Sequence, residues 1–416
     1  MTIKKTLFTA AVLIALVLPA LVTAQNTAPG EVISNTFVTS TTQADMTQVI
    51  LDFYPSPQFQ EALYAVDEYD MTITTQDSDG SILELRAQMY VPNIPEPLQA
   101  PVYVFGAGTT GLVNECAPTL EEPEVSDWGR FRDYLRTYAT QGFIVIMPDY
   151  IGFQDEERLQ PYYVAELQGR VALDAARAVY NAFGGEPLAV SGLVTPFDAT
   201  FIGGYSQGGT TVFGARDIQP TYAPDVPLRG ILAYGSVTDQ KNHMLTRPEF
   251  SAYRWVAWEQ HYGPDVVDLD VIFNDLYLPT VRNEATTLCV REAFGFYPAD
   301  PSMVYREDFY NALVNDTTAQ DFPQHDALLI ENSPGFSVSD VEVIVLQGDG
   351  DETIPPAKMA EFLTDFCALE GNAVTYNEYI STTHFDTREK SYLDTLAWMV
   401  SVATGEDVRD DCANFQ

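Results

Sequence analysis

Residues 204–208 of this 416-residue chain are GYSQG, and the sequence on either side of them indicates the architecture. An apolar run at residues 199–203 precedes the motif, and residues 210–215 can continue as a helix. A serine between two glycines, where a strand turns sharply into a helix, is typical of a nucleophile elbow. Larger side chains at the glycine positions would collide with the neighbouring strand and helix. The pattern therefore predicts Ser206 as a nucleophile.

A serine hydroxyl is a weak nucleophile until a base accepts its proton, so a histidine should follow later in the chain. His384 comes after the strand-like residues 373–379, where a loop can return the imidazole to Ser206. The other three histidines fall within residues 241–335 and are expected to be surface or core residues. His384 is the predicted general base.

The acid of such a site holds the histidine in the right tautomer and stabilises the imidazolium. Residues 348–355, GDGDETIP, follow the apolar run 341–346 and provide carboxylates at a strand end. Asp351 is the preferred candidate and Asp349 its competitor. Two more remote alternatives are Glu352 and Asp386.

An oxyanion hole needs two backbone N–H groups, one of them from the residue after the nucleophile, here Gln207. The glycine-rich residues 106–111, GAGTTG, offer the second, with Thr109 preferred and Gly108 or Thr110 as alternatives. The same loop fits G-x-G-x-x-G, but no helical pattern begins within its glycines, so no nucleotide cofactor is predicted. The chain also lacks H-E-x-x-H and zinc-like Cys/His clusters, so no metal is predicted.

The rest of the chain alternates apolar runs with helical patterns, which predicts a mostly parallel sheet flanked by helices. Strand-like runs occur at residues 101–105, 142–147, 199–203, 228–234 and 341–346, and helical patterns at residues 128–141 and 162–183. Residues 69–75 and 83–91 alternate polar and apolar side chains around a turn, which predicts a hairpin at a sheet edge. Residues 241–335 are aromatic and irregular and are expected to form an inserted, mainly helical cap.

Composition excludes several classes of protein. Apolar residues make up 46% of the chain, enough for a large core. The 59 acidic against 21 basic residues give a net charge of −38, which opposes binding to nucleic acid or anionic membranes.

Residues 1–24 have the pattern of a secretory signal peptide, with two lysines, an apolar segment and small residues before the cleavage site. We therefore expect an extracellular or periplasmic protein with no integral membrane segment after signal removal. The four cysteines of an exported chain favour two disulfides, whose pairing the spacing leaves open. They are Cys116, Cys289, Cys367 and Cys412.

Taken together, these motifs resemble the secretory lipase family of the lipase A-like type, within the α/β-hydrolase superfamily. The matching segments are residues 108–111 (GTTG), 116–118 (CAP), 148–150 (PDY), 161–166 (PYYVAE), 204–209 (GYSQGG) and 332–335 (NSPG), with Asp351 and His384. The resemblance implies an α/β-hydrolase fold acting on carboxylic esters, with a core of residues 25–240 and 336–416 and a cap or lid at residues 241–335. It supports Ser206, Asp351 and His384 as a triad. It also implies the pairs Cys116–Cys289 and Cys367–Cys412.

The prediction from sequence is thus a secreted serine carboxylic-ester hydrolase, a lipase or carboxylesterase that forms an acyl-enzyme and needs no cofactor. Its substrate would be a small-molecule or polymeric ester, and the oligomeric state is left open. The GYSQG motif also resembles that of cutinases, so a polyester or aromatic-ester hydrolase is the main alternative. A serine peptidase and a non-catalytic binding protein are the more distant ones.

Overall fold

The computed structural model describes residues 28–54, 61–122, 128–185 and 192–416. The predicted signal peptide at residues 1–24 therefore lies outside the described residues. Within the described ranges, no helix combines the length and the apolar character needed to cross a membrane.

Nine strands of the described chain form one sheet in the order β1-β2-β3-β5-β4-β6-β7-β8-β9. They are β1 (Val32–Thr41), β2 (Ala65–Gln76), β3 (Ile82–Asn93), β4 (Leu98–Gly106), β5 (Ile144–Pro148), β6 (Val194–Tyr205), β7 (Leu228–Tyr234), β8 (Glu342–Gly348) and β9 (Thr375–Tyr379). The pairs from β5 through β4 to β9 are parallel, whereas β1–β2, β2–β3 and β3–β5 are antiparallel. The mostly parallel sheet predicted from the alternating runs is confirmed.

Helices cover both faces of the sheet and so bury the central strands completely. The helices of the core are α1 (Gln43–Phe53), α2 (Phe131–Ala139), α3 (Ala165–Gly184), α4 (Gln207–Tyr222), α13 (Pro356–Ala368) and α14 (Thr387–Thr404). Along β4, Val102 and Val104 pack into the cluster that contains α3, α4 and α13. The alternate residues Tyr103 and Phe105 pack into the second cluster, with α1, α2 and α14. This double burial explains why the central strands are nearly continuous apolar runs.

The segment between β7 and β8, where the aromatic composition predicts a cap, folds into short helices. These are α5 (Gln240–Thr246), α6 (Ser251–Tyr262), α7 (Leu269–Ile272), α8 (Val281–Ala285), α9 (Val290–Phe296), α10 (Glu307–Val314), α11 (Thr318–Asp321) and α12 (Pro323–Glu331). Trp255 and Trp258 on α6 are fully buried, 5.1 Å apart between ring centroids. Many of the aromatic side chains therefore build the interior of this segment.

Two details of the sequence-based fold are wrong. The hairpin β2–β3 forms as expected, but it does not lie at the sheet edge, because β1 pairs with β2 on its outer side. The helix expected from residue 162 begins at Ala165, because Tyr163 has a φ of 58°, which no right-handed helix accepts. Strand β1 and helix α1 were not expected at all.

The crossing of α3 and α4 depends on two glycines. A Cβ atom on Gly169 would lie 2.6 Å from the backbone carbon of Gly214, and one on Gly214 would lie 2.4 Å from the carbonyl oxygen of Ala165. Gly184, at the end of α3, has no atom within 4 Å of such a position. The backbones of the two helices can touch here because neither glycine carries a side chain.

We expect Gly169→Ala to lower the free energy of unfolding by about 1–3 kcal/mol, because the helices must separate to admit the methyl group. Gly184→Ala, in the same helix, should change it by no more than about 1 kcal/mol. Urea unfolding monitored by circular dichroism measures both. Equal stabilities of the two variants would contradict the close approach.

Candidate active site

Ser206 occupies a strained turn between β6 and α4. Its backbone has φ 54° and ψ −108°, a combination that ordinary residues avoid. A Cβ atom on Gly204 would lie 1.9 Å from the carbonyl oxygen of Gly208, and one on Gly208 would lie 2.1 Å from that of Gly106. The turn therefore requires glycine at both positions, as the motif predicts, and it brings the nucleophile candidate against the end of β4.

Asp351 and His384 lie next to each other. Asp351 Oδ2 is 2.8 Å from His384 Nδ1, and both side chains are buried. The other carboxylate oxygen, Oδ1, accepts hydrogen bonds from the backbone N–H groups of Thr353 and Ile354, at 2.9 and 2.8 Å. The carboxylate is therefore held from two sides and orients the imidazole, so that Nε2 is the ring nitrogen left for a reacting proton.

The competing carboxylates have other partners. Asp349 is exposed, and its Oδ1 accepts a hydrogen bond from the backbone N–H of Thr382 at 3.2 Å. Asp386 accepts one from the Thr383 hydroxyl at 2.6 Å, and Glu352 is exposed. Among these candidates, a contact with His384 is found for Asp351.

Space for the His–Asp pair comes from a glycine that sequence analysis did not single out. Gly235, directly after β7, has a φ of 48°. A Cβ atom there would lie 2.9 Å from His384 Nδ1 and 3.0 Å from Asp351 Oδ2. A side chain at this position would push the two groups apart. Its only signal in the sequence is its place at the end of a parallel strand.

The expected oxyanion loop packs on the nucleophile turn. A Cβ atom on Gly108 would lie 2.8 Å from the Tyr205 ring, so this glycine is needed for the close approach. Thr109 lines the same cavity as Ser206, and its hydroxyl lies 2.7 Å from the Tyr162 hydroxyl. Within the described ranges, the N–H groups of Gln207 and Thr109 are not found donating to another backbone group.

Two tyrosines that sequence analysis did not assign support this loop. Tyr150 donates a hydrogen bond to the carbonyl oxygen of Ala107 at 2.8 Å and lies 3.0 Å from the Thr211 hydroxyl on α4. Tyr162 supports Thr109 as described above. Tyr150 belongs to the PDY motif and Tyr162 to the PYYVAE motif. These motifs carry the family resemblance and were the signal in the sequence that could have identified the two tyrosines.

The segment between β7 and β8, the expected cap, is attached to the glycine-rich loop and the residues that follow it. A disulfide joins Cys116, just after the loop, to Cys289, just before α9, and the N–H of Val290 donates to the carbonyl oxygen of Thr110 at 2.8 Å. A second disulfide joins Cys367 to Cys412. These are the two pairings that the resemblance implies. The disulfide between Cys116 and Cys289 fixes the chain next to Val290, which lines the same cavity as Ser206.

Ser206 and His384 line one cavity of about 360 Å³. Its walls come from both the sheet with its helices and the segment between β7 and β8. Aromatic rings make up much of these walls: Phe53, Trp128, Phe250, Phe294 and Phe385. Two of these rings, Phe294 and Phe385, are exposed. Such a cavity suits an apolar acyl or aryl group.

A buried polar pair lies behind this aromatic wall. His243 Nδ1 is 2.8 Å from Arg254 Nη2, and the His243 ring is stacked on Phe250 at 5.8 Å. Burial and the neighbouring Arg254 hold the pKa of His243 well below its usual range, so this histidine is neutral. It supports the wall, in agreement with its expected structural role.

The comparisons with known proteins point to one family and one fold. Residues 134–246, which include the Ser206 turn, match the family model described as secretory lipase. No match was found among curated proteins. This agrees with the resemblance seen in the sequence and supports carboxylic-ester hydrolase activity.

Several solved structures share the architecture. A protein from Legionella pneumophila that is named a putative hydrolase is 17% identical. The match has a TM-score of 0.73 and covers 91% of this chain and 100% of the other chain. The rice cell wall degrading esterase LipA from Xanthomonas oryzae is 17% identical, with a TM-score of 0.71 over 91% and 97%. Lipase A from Candida antarctica in its closed state is 16% identical, with a TM-score of 0.67 over 92% and 84%. The α/β-hydrolase fold expected from the sequence is confirmed.

The geometry predicts how Ser206 responds to an organophosphorus reagent that phosphorylates activated serines. We expect the second-order labelling rate of Ser206 to fall by about 10³–10⁴-fold in Asp351→Asn, because the amide favours the wrong imidazole tautomer. Asp349→Asn removes a neighbouring exposed carboxylate and should change the rate by no more than about twofold. Mass spectrometry of the labelled peptide measures both rates. A larger loss in the Asp349 variant would assign the acid to that residue instead.

Proposed function

We propose that the chain is an exported serine hydrolase of carboxylic esters, with Ser206, His384 and Asp351 as its catalytic triad. The observation that carries this proposal is the buried contact between Asp351 and His384 beside a cavity that Ser206 also lines. Ser206 stands on the strained turn that nucleophiles of this fold use. The secretory lipase match across that turn supports the same activity.

In the proposed reaction, Ser206 Oγ attacks the ester carbonyl carbon while His384 Nε2 accepts the hydroxyl proton. The carbonyl oxygen becomes an oxyanion, which the backbone N–H groups of Gln207 and Thr109 stabilise. His384 then gives the proton to the leaving alcohol, and an acyl-enzyme remains on Ser206. A water molecule, deprotonated by His384, attacks this ester, and the carboxylic acid leaves as Ser206 regains its proton. Asp351 holds the imidazole in place throughout and stabilises the imidazolium.

The proposed division of the chain follows from the same activity. Residues 25–240 and 336–416 would form the hydrolase core, and residues 241–335 the cap over the active site. A cleaved signal peptide at residues 1–24 would direct the enzyme out of the cytoplasm. Two disulfides, which persist in oxidising compartments, support that destination.

The substrate we favour is an ester with a short to medium apolar or aryl group. A volume of about 360 Å³ lies near the lower limit for ligand cavities, and aromatic rings form much of its wall. The exposed rings of Phe294 and Phe385 favour a polyester or aromatic ester as the second candidate, since a cavity open on that side could admit one unit of a larger molecule.

The test is hydrolysis of 4-nitrophenyl esters from acetate to palmitate by the wild type and by Ser206→Ala. We expect kcat/KM to peak between butyrate and octanoate, because a cavity of about 360 Å³ has to hold the 4-nitrophenyl group as well as the acyl chain. The Ser206 variant should lose at least about 10³-fold in kcat while it retains the wild-type circular dichroism spectrum.

Other outcomes lead to other conclusions. A peak at palmitate would indicate a lipase with a deeper acyl site than the cavity described here. A folded wild type that hydrolyses no ester would overturn the proposal and favour a peptidase or a non-catalytic binding protein.

The disulfide between the cap and the oxyanion loop should matter for turnover as well as for stability. Replacing either disulfide by two serines should lower the free energy of unfolding by about 2–5 kcal/mol. Only the Cys116→Ser, Cys289→Ser variant should also lose kcat/KM, by at least about tenfold in the folded enzyme, because small displacements of catalytic groups are costly. The matched control is Cys367→Ser with Cys412→Ser. Equal activities of the two variants would show that the attachment is structural only.

A further inference from the structure

Tyr205, the residue before Ser206, touches several parts of the candidate site. Its ring centroid lies 5.0 Å from that of the His384 imidazole. A Cβ atom on Gly108, in the glycine-rich loop, would lie 2.8 Å from the same ring. The ring also lines the cavity beside Ser206. A shift of this ring would therefore displace the base and the loop relative to the nucleophile, although no step of the proposed reaction uses Tyr205 itself.

We propose that Arg388 is a positioning residue, which keeps His384 in place relative to Ser206 by holding the Tyr205 ring. The inference rests on the proposed ester hydrolase function and adds a residue outside the triad on which turnover would depend. The guanidinium carbon of Arg388 lies 4.6 Å from the Tyr205 ring centroid. A planar guanidinium stacks well on an aromatic face, because the ring quadrupole attracts the cation.

Two further rings enclose the same guanidinium. Its carbon lies 5.1 Å from the Phe131 ring centroid and 4.9 Å from that of Tyr134, both on α2. Arg388 is only 5% exposed, so little water competes with these contacts. Contacts between a cation and a ring are stronger when both are removed from water. Arg388 therefore joins the Tyr205 ring to a helix of the core.

The guanidinium is also bound to a segment that is itself fixed. Its Nη2 atom donates a hydrogen bond to the carbonyl oxygen of Gly129 at 2.6 Å. The Glu121 carboxylate accepts hydrogen bonds from the backbone N–H groups of residues 128–131, at 2.6–2.8 Å. This carboxylate holds the segment in place, so the position of the guanidinium is set from outside α14.

The backbone of Arg388 belongs to the same segment as the proposed base. Arg388 lies in the first turn of α14, four residues after His384. The Thr387 hydroxyl donates to the carbonyl oxygen of Thr383 at 3.0 Å, which connects the start of the helix to the residue before His384. The Arg388 side chain thus reaches from the segment that carries the base to the residue before the nucleophile.

Packing alone does not explain an arginine at this place. The Nε and Nη1 atoms of Arg388 are buried and have no hydrogen-bond partner among the described residues. Buried N–H groups without partners cost stability, so an apolar side chain of similar length would stabilise the core about as well. Such a side chain would lose the attraction to the Tyr205 ring and the hydrogen bond to Gly129. These two contacts are what the arginine provides.

The experiment measures kcat and KM with 4-nitrophenyl butyrate for Arg388→Met, Arg388→Lys and the control Arg216→Met. Circular dichroism shows whether each variant is folded. Arg216 is also buried, and its guanidinium carbon lies 5.0 Å from the Phe366 ring centroid. It does not line the cavity of Ser206, so the control removes a similar contact between a cation and a ring away from the site.

We expect Arg388→Met to lower kcat by at least about tenfold at an unchanged KM, because small displacements of catalytic groups are costly. Arg388→Lys should recover at least about half of this loss on a logarithmic scale, since an ammonium group is also attracted to the ring faces. Arg216→Met should keep kcat within about twofold of the wild type, because distant sites act independently.

A double-mutant cycle tests the route through the ring. Tyr205→Leu removes the ring and should lower kcat about as much as Arg388→Met. Because the two residues act as one unit, the double variant should be slower than the slower single variant by no more than about threefold. Losses that multiply would overturn the proposal, because Arg388 would then act by another route.

Three other results would overturn it as well. They are a smaller loss of kcat in a folded Arg388→Met, a raised KM at unchanged kcat, which would indicate direct contact with the substrate, and a lysine variant no faster than the methionine variant. If Arg388→Met does not fold, Arg388→Gln takes its place with the same limits.

None of these results affects the ester hydrolase function, because hydrolysis by the wild type and its loss in Ser206→Ala report on that function separately. If Ser206→Ala hydrolyses the ester as fast as the wild type, the proposed function itself fails.

Discussion

The structure depends on one close approach between backbones, where β6 turns into α4. Gly204 and Gly208 touch across the turn, and Gly208 in turn touches Gly106 at the end of β4. The first contact accompanies the positive φ of Ser206, and the second places residues 106–111 beside it. No side chain could occupy positions 204 and 208, so these two glycines set both the strained backbone of Ser206, the proposed nucleophile, and the place of the loop next to it. The strain is sustained because helices and strands on every side fix the ends of the turn.

Much of the fold and of the candidate site could be predicted from sequence, because the residues that decide them are close together in the chain. A strand, a GYSQG turn and a helix are adjacent in the chain, and the short apolar runs of the parallel sheet are visible one by one. The order of nucleophile, acid and base then limits the choice to a few carboxylates after the strand that became β8. Sequence could not separate Asp351 from Asp349, because the difference lies in the turn geometry. That geometry buries Asp351 against His384 and leaves Asp349 exposed.

What could not be predicted depends on contacts between distant parts of the chain. Strand β1 is rich in Thr and Ser and is largely exposed, so it has no apolar pattern, and only its pairing with β2 makes it a strand. Tyr163 has a left-handed backbone conformation, although the sequence around it predicts the start of a helix. The need for glycine at position 235 follows from His384 and Asp351, which come more than 100 residues later. For β1 and for Gly235, the deciding neighbour is far away in sequence.

The attachment of the segment between β7 and β8 fixes one part of the cavity wall. Val290 and Arg291 directly follow Cys289, so the disulfide to Cys116 and the hydrogen bond from Val290 to Thr110 hold their backbone beside residues 106–111. Arg130 and Arg388, by contrast, belong to the core and are held by Glu121 and by the rings around Tyr205. The cavity wall therefore combines side chains held by the sheet-and-helix core with side chains held by the disulfide to Cys116.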